Sequence, residues 1–176
     1  MRIVSAAEFL AEPVHSSWDF SDLVRLHVAV GEKCSRQEAL GGIQCRKGCH
    51  HCCRRIESLF PVEFALLSGD GEFPPGPLES LLHPGEALCG HLAPDGSCGI
   101  YDRRPLICRT HGFLHLSEAG LDHCPWNFED LDEVDEDLPF HLEDLHETLS
   151  RVNMLFLRRS YPPRWRELAQ VRVRFQ

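Results

Sequence analysis

No apolar run in this chain approaches the roughly 18 residues that a membrane-spanning helix needs. The opening stretch, MRIVSAAEFLAEPVH, has too short an apolar segment and too much acid for a secretory signal. Both absences lead us to expect a cytoplasmic protein with mostly reduced thiols. Positive charge is scarce too. The net charge is −9, which argues against nucleic-acid binding through phosphate contacts. Thr110 to Ser150 contains no lysine or arginine. No Ser/His/Asp set, phosphate loop or dinucleotide fingerprint can be read, and nothing repeats internally. A haem attachment signal is missing as well: C-x-x-C-H is required, and Cys53 stands where the histidine should be. A thioredoxin-like C-x-x-C needs a strand before it, whereas LGGIQCRKG offers a glycine-rich loop.

What the chain does have is cysteine: 9 among 176 residues. The segment QCRKGCHHCCRR, Gln44 to Arg55, holds Cys45, Cys49, Cys52 and Cys53 beside His50 and His51. Disulfides, a structural metal, an iron–sulfur cluster and a reactive thiol are the candidates. An odd cysteine count and an ordinary domain length argue against a disulfide framework. On a helical turn, positions 45, 49 and 52 would face one side. Three thiolates from one short segment suit a metal or cluster, with the fourth ligand from elsewhere. Adjacent side chains diverge, so Cys53 next to Cys52 suggests two neighbouring sites, or one site and a spare thiol. His50 and His51 could ligate, but the abundance of thiols favours solvent-facing or supporting roles for them.

Local signals give a coarse map. Ser5 and Glu8 form a capping-box pattern for a helix over Ala6 to Ala11. Asp22 to Val30 is apolar with mixed periodicity, open to strand or helix. RIESLF, ending at Phe60, reads as a short extended piece. Pro61 opens a helix through Ser68, ended by Gly69. Leu78 to His83 reads as a short helix, with loops on both sides. Phe140 to Arg159 is the strongest helix, with an apolar stripe of Leu142, Leu145, Leu149, Val152, Phe156 and Leu157. Acid concentrates in Glu129 to Asp137, and the chain turns basic from Arg151 onward. The plainer reading is a solvated acidic loop followed by a basic helix; the sharper one is that these segments clamp within the chain or meet a protein partner.

A second constellation is CGHLAPDGSCGIYDRRPLICRTHGF, Cys89 to Phe113. PDGS signals a turn that would let Cys89 and Cys98 approach. Asp102 could pair with Arg103 or Arg104, and Arg109 beside Cys108 could lower thiol pKa values. His91, Asp102 and His111 are candidate supporting groups.

The order C-x3-C-x2-C-C, a remote Cys, then C-x-I-Y-x-x-R-P-x-x-C-R and a final Cys resembles the YkgJ-type cysteine-cluster family, known as a zinc- or iron-chelating domain. The matching residues are Cys45, Cys49, Cys52, Cys53 and Cys89, then Cys98, Ile100, Tyr101, Arg104, Pro105, Cys108 and Arg109, and finally Cys124. They span about residues 44–125, roughly half the chain. Cys34 falls outside the pattern. Spacing and resemblance together point to the eight motif cysteines as metal ligands. The resemblance implies zinc or iron, with a [4Fe–4S] cluster as one form of the iron. The same domain occurs in flagellin lysine methylases, which makes an iron–sulfur redox or modification enzyme the alternative, although the chain has no recognisable S-adenosylmethionine site. The expected fold is mainly α with long loops and at most short strands. We expect one domain over 1–176: a metal-stapled cysteine core at about 44–125, with a C-terminal helical extension at about 139–176 packed on it.

Overall fold

The computed structural model describes residues 1–14, 17–46, 48–53, 56, 58–69, 89–129, 131 and 134–174. The short helix expected at 78–83 lies outside them. Where the sequence carries start signals, helices begin on them. Helix α1 (Ala6–Leu10) opens on a closed capping box: Glu8 N–H donates to Ser5 Oγ at 3.1 Å and Ser5 N–H to Glu8 Oε2 at 2.8 Å. Pro61 sits at the start of α3 (Pro61–Ser68), where its missing N–H costs no helical hydrogen bond. The long helix α5 (Leu142–Ser160) has Glu143 and Asp144 in its first turn and Arg158 and Arg159 in its last, complementing the helix dipole. Pro162 and Pro163 follow it and prevent its continuation.

The segment left open between strand and helix is helical: α2 runs Ser21–Glu38. It buries Leu23, Val30 and Gln37. These lie one heptad apart, so the buried stripe is narrow and its periodicity weak. Two further short helices are α4 (Leu106–Thr110) and α6 (Trp165–Leu168).

Strands contribute more than expected, and the fold is mixed α/β rather than mainly α. In one three-stranded sheet β6 (Val171–Arg174) lies in the middle, parallel to β1 (Arg2–Val4) and antiparallel to β2 (Ser58–Leu59). In the other, β3 (His115–Ser117) lies between β4 (Gly120–Asp122) and β5 (Phe140–His141). The expected start of α5 at Phe140 is thus a strand residue. Strands of two to four residues are too short to display a period-2 pattern, and most of these pair across long stretches of chain.

The core gathers around α5. Phe9, Phe64, Phe156 and Tyr161 are at most 2 % exposed and pack as an aromatic cluster. Trp18 Nε1 donates to Tyr161 Oη at 3.2 Å. Burying one such side chain is worth roughly 1.5–3 kcal/mol. Helix α5 packs on α3, which belongs to the cysteine region, and equally on α2, which precedes it. The basic C-terminal segment does clamp, but to N-terminal acids: Arg159 Nη1 reaches Asp19 and Asp22, each at 2.8 Å, and Arg164 Nη1 reaches Glu12 at 2.6 Å. Arg158 and Arg166 lie over the Trp165 ring. Of the acidic segment, Asp130, Asp132 and Glu133 lie outside the described residues. Among the described residues, no helix is long and apolar enough to cross a membrane.

Two buried polar side chains tie this core to the cysteine loops. Gln37 from α2 accepts Leu114 N–H at 2.7 Å and donates to the Leu138 carbonyl at 2.9 Å. Glu63 from α3 accepts Leu106 N–H, the first amide of α4, at 2.8 Å. Burial pushes the Glu63 carboxyl above its usual range.

Candidate metal centre

Cys45 to Cys53 is a chain of turns. The helical turn expected to align Cys45, Cys49 and Cys52 does not form. Gly48 has φ +89°, which interrupts right-handed helix, and single turns take its place: Cys49 N–H to Arg46 O and Cys53 N–H to His50 O, both 2.9 Å. The PDGS stretch turns as expected. Ala93 N–H donates to Ser97 O at 2.8 Å, and Leu92 and Cys98 form a bridge. Gly96, at φ +78°, has no room for a side chain. A Cβ there would stand 2.9 Å from the Gly48 carbonyl oxygen, so the two loops pack backbone to backbone. Cys89 N–H joins the Cys53 carbonyl at 3.0 Å.

These loops and α4 enclose a hollow of about 670 Å³. Six motif thiols line it: Cys49, Cys52 and Cys53 from the turns, Cys89 and Cys98 from the hairpin-like loop, and Cys108 from α4. Adjacent Cys52 and Cys53 do not diverge: the two thiols interact, which favours the ionised form of Cys52 and disfavours that of Cys53. Burial, then the neighbouring Cys89 and Cys98, pushes Cys108 up to about 12. Burial also raises Cys98. Thiols held so high need a nearby cation, or a bound metal that displaces the proton to solvent, to become thiolates.

Arg104 is the cation nearest this role. Its guanidinium lies 3.8 Å from the centre of the Tyr101 ring, and its Nη1 donates to the Cys108 carbonyl at 3.4 Å. Its charge favours ionised Cys52, Cys98 and Cys108. Arg109 stands near enough for its charge to meet those of Cys34 and Cys108, and it also braces the loop by donating to the carbonyls of Arg104 and Asp102. Asp102 meets Arg109 through both its backbone carbonyl and its charge.

Cys45 and Cys124 lie at a second focus. A Cβ built on Gly112 would stand 3.5 Å from Cys45 Sγ and 3.7 Å from Cys124 Cβ. Asn127, 1 % exposed, holds this focus together. It accepts Gln44 N–H at 2.9 Å and donates to the Gly112 carbonyl at 2.7 Å and to Cys45 Sγ at 3.3 Å. Nothing in the cysteine spacing pointed to it. An adjoining hollow of about 400 Å³ is lined by Cys52 and Cys124 together with His51, His111, His115, Asp122, His123 and Trp126. Cys52 thus lines both hollows. Of the histidines weighed from the sequence, His51 stacks between His50 and Trp126, and His91 is 8 % exposed, its pKa lowered by burial.

Cys34 lies apart, as its place outside the motif suggested. It packs against the apolar core, its thiol faces the Arg109 carbonyl at 3.8 Å, and burial raises its pKa to about 11. All nine cysteines are free thiols. As the side chains lie, no three His, Cys, Asp or Glu groups among the described residues converge closely enough to hold an ion. The donor chemistry nonetheless fits zinc or iron: four separate segments bring soft sulfur ligands to two adjoining hollows, one with a cation in its wall.

Loops that bring motif thiols from four segments to two adjoining hollows mark the chain as a cysteine-cluster domain. The chain belongs to the CxxCxxCC family, described as a putative zinc- or iron-chelating domain, whose sequence model matches residues 44–133. No curated protein and no solved structure matches the chain significantly.

Proposed function

We propose that the protein is a metal-binding module in which Cys45, Cys49, Cys52, Cys53, Cys89, Cys98, Cys108 and Cys124 hold zinc or iron, with the cysteine core and the C-terminal extension acting as one domain. One observation carries this reading. Thiols from four separated segments meet at two adjoining hollows that share Cys52. The neighbours divide accordingly. Cys45 feels the charges of Cys49, Cys124 and Cys52, while Cys53 feels those of Cys52, Cys89 and Cys98.

Bound zinc would supply a redox-silent staple, and bound iron an electron-transfer centre. The chain's own residues set the conditions for either. Arg104 offsets thiolate charge, Asn127 donates to Cys45, and Gly48 and Gly96 let the loops close. Metal-binding energy is folding energy where loops of this length have little core beneath them.

A second reading, an iron–sulfur centre serving redox or modification chemistry, draws on size. A hollow of about 670 Å³ lined by six thiols is far larger than one ion requires. Elemental analysis and the visible spectrum of anaerobically purified protein separate the two, since thiolate-bound clusters are brown and zinc is colourless. Cys49→Ser should lose metal and stability, and Cys34→Ser should keep its metal. Equal metal loss from both variants refutes the ligand assignment.

A further inference from the structure

The smaller hollow, which Cys52 and Cys124 also line, carries imidazoles and a carboxylate that lie outside the cysteine motif. We propose that His111, His115, Asp122 and His123 form an imidazole–carboxylate site there for a divalent first-row transition ion, beside the thiols but not ligated by them.

His115 carries the argument. The residue is 8 % exposed, and its Nε2 is buried without a hydrogen-bond partner. Buried polar atoms are nearly always satisfied, so an orphaned imidazole nitrogen in the wall of a cavity points to an absent partner. Asp122 is its direct cross-strand neighbour in the β3–β4 hairpin, which puts both side chains on one face of the sheet. His111 stands near enough for its charge to act on His115.

His123 is oriented independently. Its Nδ1 lies 2.9 Å from the Cys124 carbonyl, and its ring sits edge-on to Phe128. A carbonyl only accepts, so Nδ1 is the donor and Nε2 is the nitrogen left to face an ion. Metal-ligating histidines are commonly fixed in this way. Nitrogen donors with one carboxylate select zinc, cobalt or nickel over calcium or magnesium. His111 and Asp122 are exposed, so their side chains can turn inward to complete the ligand set around the buried His115.

Trp126 lines the same hollow and serves as a reporter. The experiment adds Co²⁺ anaerobically to zinc-loaded full-length protein and follows tryptophan emission, visible absorption and retained zinc. Saturable quenching at about one equivalent is expected, without sulfur-to-cobalt charge transfer. Trp126→Phe should remove most of the quench while leaving cobalt uptake intact. His115→Gln and His123→Gln should each weaken binding by roughly tenfold or more while zinc is retained. Should His115→Gln fail to fold, the exposed variants His111→Gln and Asp122→Asn decide. Non-saturable quenching, sulfur-to-cobalt charge transfer, or binding unchanged in the imidazole variants overturns the proposal. Protein that never retains zinc or iron on its thiols counts against the thiolate reading alone.

Discussion

Asn127→Ala should unfasten the Cys45–Cys124 focus, and the size of the effect follows from its contacts. The side chain serves three groups: Gln44 N–H, the Gly112 carbonyl and Cys45 Sγ. The Gly112 carbonyl also receives Cys124 N–H at 3.4 Å, so it is weakened rather than orphaned. Gln44 is an exposed residue, and water can partly replace its lost acceptor. One lost net hydrogen bond of about 1 kcal/mol plus a partly hydrated orphan at about 1–2 kcal/mol gives roughly 2–3 kcal/mol. The sulfur contact adds to this when Cys45 is ionised. For a chain of this length, that corresponds to a melting point lower by roughly 4–12 °C. Thermal unfolding of the metal-loaded chain, with elemental analysis of the same samples, reads both effects. Asn127→Asp is the informative companion. It keeps the acceptor for Gln44 but replaces the donor with a charge that repels a thiolate. Because the carboxylate is buried and also faces the Gly112 carbonyl, it should lose both metal and stability, each at least as severely as Asn127→Ala. A melting point for Asn127→Ala within about 1 °C of wild type, with full metal content, would refute the reasoning.

Other outcomes follow from the same structure. Burial, then the charge of Arg109, lowers the His27 pKa to about 4. Between about pH 6.5 and 4 the unfolded chain therefore binds the extra proton and the folded one does not, so stability falls as pH falls through that window. His27→Gln should flatten that limb in denaturant titrations, and an unchanged slope argues against it. Phe156→Ala, at a position 2 % exposed, should cost about 3–5 kcal/mol by equilibrium unfolding. Alkylation of denatured, chelated protein without reductant should modify most of the nine cysteines by mass spectrometry, and four surviving disulfides would contradict free thiols.

Much of this architecture was legible because its signals are local. Ser5 with Glu8, Pro61, and the stripe through Leu149, Val152 and Phe156 each specify a helix within a few residues. The cysteine motif was legible as a set of donors for the same reason. Its geometry was not. Reading positions 45, 49 and 52 as one helical face ignored Gly48, whose left-handed backbone turns the chain instead. Strands β1 and β6 pair residues at opposite ends of the chain, which no local period encodes. Asn127 and Gln37 are polar side chains whose importance lies in buried backbone partners far away in sequence, so composition gives no hint of them.

The placement of β6 between β1 and β2 sets an order of events during synthesis. Neither flanking strand has its partner until residues 171–174 have been made, although both leave the ribosome long before. The last motif cysteine, Cys124, also emerges well ahead of that strand. The thiols are therefore displayed on a nascent chain whose closing strand does not yet exist. If the thiols hold metal as proposed, capture can precede closure of the sheet.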